Sequence, residues 1–374
     1  MKRFFMFVNL VLTLAIIVVC FTGCQKDSND IKIGAILPLT GDAAKYGDIA
    51  KKSFDMAVNE VNASDGIKGK KIKIIYEDSQ GNPQLGVSAV QKLISTDRVI
   101  SIMGDLFSSV TLAIAPIVEK NKIVLLSPAS SAPKITEAGD YIFRNCPSDV
   151  YEGNVMANYA YDKLNMKKVA LLYVNNEYGI GIKDVFKESF SKKGGTIIDE
   201  ESFEQNTTDF RTQLAKIKQS NPEAVYLVGY KEMGYILKQA KEMKIRPQFL
   251  STVMFEDPDI LKIAQEGADN VIYSASSFDT KNDDNPIVQS FVKSFNDKYG
   301  QMPDIFAGLS YDAMKIMIIA IEQGGNTSEG IKKALYNIKN YQGVTGEVSF
   351  DSNGDAILTP VIKKVENGKF VFVR

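Results

Sequence analysis

The stretch from Ile31 to Asn62, IKIGAILPLTGDAAKYGDIAKKSFDMAVNEVN, contains one complete unit of the fold. An apolar run ends at Leu37, a loop of proline, glycine, small residues and a tyrosine follows, and an amphipathic segment closes the unit. A short apolar run without polar alternation reads as a strand buried on both faces. The unit recurs along the chain. KIKIIYED (71–78), RVISIMG (98–104), KKVALLYV (167–174) and EAVYLVG (223–229) each lead through a turn into a helical pattern. IVLLS (123–127), QFLST (248–252) and NVIYSAS (270–276) continue the series. Strands alternating with helices predict an α/β fold with parallel sheets. Right-handed crossovers put every strand-to-helix loop at the same edge of its sheet.

Those loops share a chemistry: PLTGDAAKYG, GDLFSSVT, SPASSAP, NNEYGIG, GYKEMG and TVMFEDP. They are small, hydroxylic, glycine-rich and tyrosine-bearing. Each sits at the carboxyl end of a strand, where open α/β sheets bind ligands. After Leu126 the chain leaves its strand through Ser127, Pro128, Ala129, Ser130, Ser131, Ala132 and Pro133, which offer almost nothing to pack with. Serine and proline are ordinary turn residues, but several such loops together point to a ligand filling the space above the strands.

The chain has 374 residues, more than the roughly 250–300 that one hydrophobic core holds. Two doubly wound parallel-sheet lobes joined by a multi-strand hinge, with a ligand cleft between them, are therefore expected. The first crossing is placed at Cys146 to Asp149, where the pattern breaks into proline and polar residues, and a second near Ser274 to Asp279. The tail from Gly343 changes to alternating apolar runs with Asn353-Gly354 and Asn367-Gly368 turns, the signal of hairpin-like strands. The predicted division is 31–148 plus 277–343 for the N-terminal lobe and 149–276 plus 344–374 for the C-terminal lobe.

The N-terminus reads as an address. Lys2 and Arg3 precede an apolar run from Phe4 to Thr22 and then Gly23-Cys24. This is the order of charge, apolar core and small residue found in export signals; an uncleaved membrane anchor is the competing reading. Phe21-Thr22-Gly23-Cys24 resembles a bacterial lipobox, which implies a signal peptide over 1–23, lipidation of Cys24 and a tether over 24–30. The expected location is the cell membrane, lipid-anchored, facing the periplasm or the cell exterior.

Composition excludes several chemistries. There is no histidine and no tryptophan, and Cys20, Cys24 and Cys146 are the only cysteines. Ser-His-Asp hydrolysis and histidine-based zinc sites are absent by composition. Only Cys146 belongs to the body, so no intrachain disulfide framework forms there. The formal net charge is −1, and no basic stripe suggests nucleic acid. No cofactor or metal is expected, and the chain is expected to be a monomer. Gly325 to Gly330 has phosphate-loop spacing, but Ile331 stands where the lysine is required. Asp351 to Asp355 is too short for a calcium loop, and Gly179 and Gly181 supply only part of a dinucleotide fingerprint.

The ordered motifs IKIGAILPLTGDAAKYGD, IKIIYEDSQGNP, GDLFSSVT, LLSPASSAP, YVNNEYGIG and GYKEMG resemble the solute-binding proteins of branched-chain and other amino-acid ABC transporters, the Leu/Ile/Val-binding class. The resemblance covers nearly all of 31–374. It implies a binding protein without catalysis, an amino acid or related carboxylate as ligand, and an ABC permease as partner. It also implies that Ser108, with Ala129 and Ser131, holds the ligand's carboxylate. Independently, Ser108 and Ser109 open a helix whose free N–H groups favour an anion. From the opposite lobe the resemblance brings Tyr178 and Tyr230, from the first crossing Asp149, and Tyr46 to the cleft wall.

One position departs from that pattern. Members that bind α-amino acids carry an acid after the strand following GYKEMG, and Val253 stands there. An ammonium buried without a countercharge is strongly unfavourable. Glu256 or Asp257 could serve if the loop slips, Asp149 or Asp105 could substitute, or the ligand is instead an aromatic or aliphatic carboxylate, an amide or urea. A ligand-sensing lipoprotein serving a membrane receptor fits the same motifs, and an enzyme on this scaffold is the least compatible reading.

Overall fold

The computed structural model describes residues 30–280, 284–358 and 360–373. The export signal, Cys24 and nearly all of the tether lie outside the described residues. The first sheet contains β1 (Ile31–Leu37), β2 (Ile72–Asp78), β3 (Ser101–Gly104), β4 (Val124–Ser127) and β5 (Ile142–Arg144) in the order β2-β1-β3-β4-β5. All its pairings are parallel, with Ile31 opposite Ile72 and Gly34 opposite Ile102. Period-2 alternation assigns its side chains to two cores. Ile36, Ile102 and Leu125 face one, whereas Ala35, Leu37, Met103 and Leu126 face the other. Each strand is therefore apolar on both sides, which is why its sequence shows no alternation.

Helices α1 (Ala44–Ala63), α2 (Pro83–Lys92) and α3 (Ser108–Lys120) connect these strands. The chain then crosses to α4 (Asp149–Asn158), β6 (Lys168–Val174), α5 (Glu177–Lys192), β7 (Thr196–Phe203), α6 (Arg211–Ser220), β8 (Ala224–Val228), α7 (Glu232–Glu242), β9 (Gln248–Ser251), α8 (Pro258–Ala264) and β10 (Ile272–Ala275). It returns for α9 (Pro286–Tyr299), α10 (Ile305–Gly324) and α11 (Ser328–Tyr336), of which α9 and α10 pack on α1 and α11 packs on α10 and β4. A small hairpin, β11 (Tyr341–Gly343) and β12 (Gly346–Val348), precedes the last pair, β13 (Val361–Glu366) and β14 (Lys369–Phe372).

The second sheet runs β14-β13-β10-β9-β8-β6-β7. Its strands from β10 to β7 are parallel, β13 adds antiparallel to β10, and β14 adds antiparallel to β13. All of Ala224–Val228 is buried at the centre, whereas edge strand β7 carries Asp199, Glu200 and Glu201, the charged rim that discourages edge pairing. In both sheets the strand order reverses next to the first strand of the lobe, at β1/β3 and β6/β8. Ligand crevices form at such reversals.

The tail departs from the predicted pattern in two places. Asn367-Gly368 joins β13 to β14 as expected, but Asn353-Gly354 supports only the single bridge Phe350–Ala356. The Asp351 carboxylate accepts the N–H groups of Asn353 and Asp355, which rounds the turn without a ladder. The chain also stays with the first lobe beyond Gly343. Arg144 exchanges backbone hydrogen bonds with Gly354 and Ala356, and Asp312 on α10 accepts the N–H groups of Val344 and Thr345.

Candidate functional site

Close backbone approach seats the helices against their strand ends. A Cβ at Gly47 would lie 2.1 Å from Pro38 O, and one at Gly179 would lie 2.0 Å from Val174 O. Only glycine allows α1 and α5 to start this tightly, and both starts carry a tyrosine toward the cleft. Asn176 caps α5 by accepting the Gly179 N–H at 2.9 Å.

In the first lobe the serine loop divides by direction. The Ser127 hydroxyl donates to Asp105 O at 2.6 Å and accepts the Ser130 N–H at 2.9 Å. Ser130 donates to the same carbonyl at 2.9 Å and lies 2.7 Å from Thr111 Oγ1. These two serines brace the loop from within, leaving Ala129 and Ser131 on the cleft wall. Ser108 Oγ, also on the wall, accepts the Ala132 N–H at 3.2 Å. Asp105 is consumed in support: its carboxylate accepts Ser79 Oγ and the Phe107 N–H. Burial raises its pKa to about 7 despite those donors.

The second lobe presents aromatic rings. Tyr178 and Tyr230 have centroids 5.6 Å apart, and Tyr178 Oη lies 2.8 Å from Thr252 Oγ1. The lobes touch here. Phe107 meets Tyr230 with centroids 5.3 Å apart, and Tyr46 Oη donates to Asp257 at 3.1 Å. Cross-cleft ion pairs at the rim join Lys45 to Asp257 and Asp259, and Lys134 to Glu177.

Tyr46, Ser108, Ala129, Ser131, Tyr178 and Tyr230 enclose a small cavity of about 20 Å³. It shares Ala129, Ser131, Met254 and Phe306 with a larger cavity of about 530 Å³ on the hinge side, which Glu152 and Val253 also line. Six of the ten predicted positions thus converge on the small cavity and Val253 on its neighbour. Ser109 lines neither cavity. Asp149 is fully buried, its N–H bonded to Ser131 O at 2.9 Å, and lines neither cavity. Glu256 is a correction: it pairs with Lys363 at 2.5 Å and lines a separate cavity of about 580 Å³, so it does not face the ligand space.

Glu152, Thr252, Met254 and Phe306 were not legible as site residues. Glu152 stands in the first turn of α4, where an acid is ordinarily explained by the helix dipole. Its Oε1 accepts the Val253 N–H and Ser274 Oγ, each at 2.5 Å, and burial raises its pKa to about 7. Phe306 lies in an apolar helix and reads as core.

Hydroxyls and a helix start on one wall, tyrosines on the other, and lobes that meet around the space between them form a cleft of the kind that small-molecule binding proteins carry. Among the described residues no His, Cys, Asp or Glu group could hold a metal ion. The chain belongs to the periplasmic binding protein family, which it matches over residues 30–365. It is 29% identical to Leu/Ile/Val-binding protein homolog 3 of Brucella melitensis, over 91% of this chain and 93% of that one. The leucine binding protein LivK of Thermotoga maritima superposes with a TM-score of 0.86 at 29% identity, covering 92% of this chain and 98% of that one. LivJ of Streptococcus pneumoniae, a branched-chain amino acid transporter substrate binding protein solved with isoleucine, has a TM-score of 0.83 at 31% identity, covering 91% and 97%. This family and these relatives are binding proteins, not enzymes.

Proposed function

We propose that the chain is an extracytoplasmic, lipid-anchored solute-binding protein that captures a small apolar α-amino acid between its lobes and delivers it to an ABC permease. The observation that carries the reading is the convergence of Ser108, Ala129 and Ser131 with Tyr178 and Tyr230 around one enclosed space. In this reading the ligand's carboxylate meets the Ser108 and Ser131 hydroxyls and the N-terminal N–H groups of α3, where the helix dipole adds to the attraction. Tyr46, Phe107 and Phe306 supply an apolar wall for its side chain, the Tyr46 ring meeting each of the other two edge-on. The relatives' names, and the isoleucine in one of them, support the same ligand class.

A thermal-shift screen across amino acids, amides and aromatic acids tests the reading. A ligand at a hundred times its dissociation constant stabilises the protein by about 2.7 kcal/mol, a readable shift. Leucine, isoleucine or valine should give it. A response confined to amides or to acids without an amine would reject the amino-acid reading.

A further inference from the structure

Among the described residues, Glu152 supplies the only buried carboxylate on the wall of either cleft cavity; Glu347, also on the larger one, is exposed. Its Oε1 is fixed by Val253 N–H and Ser274 Oγ, so the head group is oriented rather than free to swing. The Glu152 side chain borders the larger cavity, and no lysine or arginine pairs with it among the described residues. One turn back along α4, Asp149 is fully buried, with the Ser131 hydroxyl as its side-chain neighbour and no lysine or arginine paired to it among the described residues. Two buried carboxylates with no cation committed to them among the described residues make an electrostatically unsatisfied site, since a buried charge requires pairing.

The groups around the pair offer no remedy. Arg144 is the nearby cation, but its guanidinium is held by both oxygens of Asp355, by Thr136 Oγ1 and by the carbonyls of Ser131 and Ala132. Cys146, Tyr178, Tyr226 and Tyr230 are the other titratable groups facing the pair, and none is a cation. Ser131, whose carbonyl accepts the Asp149 N–H, borders both cavities. An α-amino acid with its carboxylate at Ser131 has its ammonium two bonds away, on the side where Glu152 stands.

We propose that Glu152, with Asp149 behind it, is the countercharge for the ligand's ammonium and hence the residue that selects amino acids over their des-amino analogues. The inference rests on the amino-acid reading above and adds the identity of the selecting residue. It accounts for Val253: the carboxylate arrives from α4 and anchors to the Val253 backbone, so that loop needs no acid of its own. Without a bound ammonium, burial holds the Glu152 pKa near 7. Amino-acid affinity should therefore fall as pH drops below that value, while affinity for an amine-free acid should not.

The test is calorimetric titration of the purified chain, wild type and Glu152→Gln, with isoleucine and 3-methylpentanoic acid between pH 5.5 and 8. The expected result is a loss of roughly ten- to a hundredfold for isoleucine in Glu152→Gln, with binding of 3-methylpentanoic acid unchanged or tighter and the acid-side decline removed. If Glu152→Gln does not fold, Glu152→Asp keeps the charge but withdraws it by one methylene, and isoleucine alone should weaken. Equal isoleucine affinity in wild type and variant, or parallel losses for both ligands, would overturn the assignment while leaving the amino-acid reading intact. Failure of wild type to bind any amino acid would overturn both.

Discussion

Arg144 and Asp355 stand 211 residues apart in sequence and form a two-pronged ion pair, Nε to Oδ1 at 2.6 Å and Nη2 to Oδ2 at 2.7 Å. Arg144 is fully buried, and the same guanidinium donates to the carbonyls of Ser131 at 2.8 Å and Ala132 at 2.9 Å. One side chain thus ties the end of β5, the serine loop of the binding wall and the returning C-terminal segment together. Removing one partner of a buried pair strands the other, at a cost of about 3–5 kcal/mol. Asp355→Asn should lower the denaturation midpoint accordingly, and an unchanged midpoint in urea would show that the clasp carries little stability.

The serines separate binding from folding. Ser108→Ala and Ser131→Ala each remove a hydroxyl from the proposed carboxylate site, worth about 1.5–3 kcal/mol for a bond to a charged group, so ligand affinity should fall in both. The melting temperature without ligand should change little in Ser131→Ala, whereas Ser108→Ala also frees the Ala132 N–H and should lower it modestly. Ser130→Ala deletes bonds to Asp105 O and Thr111 inside the lobe, so it should lower the melting temperature more than the affinity. Calorimetry and thermal melts of the three variants measure both quantities. Equal effects at Ser130 and Ser131 would contradict the orientation.

Much of this was legible in the strands and loops. Past their charged first residues, EAVYLVG and KKVALLYV are apolar because both faces of β6 and β8 are covered, and the small-residue loop after Leu126 pointed to space above its strand. Ser131 and Tyr178 followed from that pattern and from the resemblance it carries. Partners distant along the chain were not legible. DSNGD read as a turn, and nothing local reveals that Asp355 reaches Arg144. Glu256 looked available because Lys363, which neutralises it, lies 107 residues away. Glu152 was hidden for the opposite reason, since an acid in a first helical turn already has a local explanation.

Asp105 gives a pH dependence with a definite sign. Burial raises its pKa from 3.8 to about 7, so between those values the folded state holds a proton that the unfolded state has released. Its contribution is fully present below about pH 4 and is lost as pH rises through 7, with a slope of up to about 1.4 kcal/mol per pH unit in that window. Asp105→Asn should flatten the fall in stability between pH 5 and 8, seen in urea denaturation at each pH. A variant with the wild-type slope would remove Asp105 as its source.

The proposed anchor is tested at Cys24. Cys24→Ser should release the protein from the membrane fraction or leave an uncleaved precursor. One acyl chain binds a membrane only marginally, so firm retention of wild type implies more than one. Lipid-labelled, membrane-held protein of normal size from the variant would contradict lipidation at this residue.

The central claim is that an α-amino acid is captured in the cleft between Ser131 and Tyr178. Its most direct test is a crystal structure of the protein grown with isoleucine, read together with the calorimetric affinity. The account predicts isoleucine between the lobes, its carboxylate on the Ser108 and Ser131 hydroxyls and its ammonium within hydrogen-bond reach of Glu152. Isoleucine absent from the cleft at a concentration that saturates binding in solution, or bound with its carboxylate away from both serines, would contradict it.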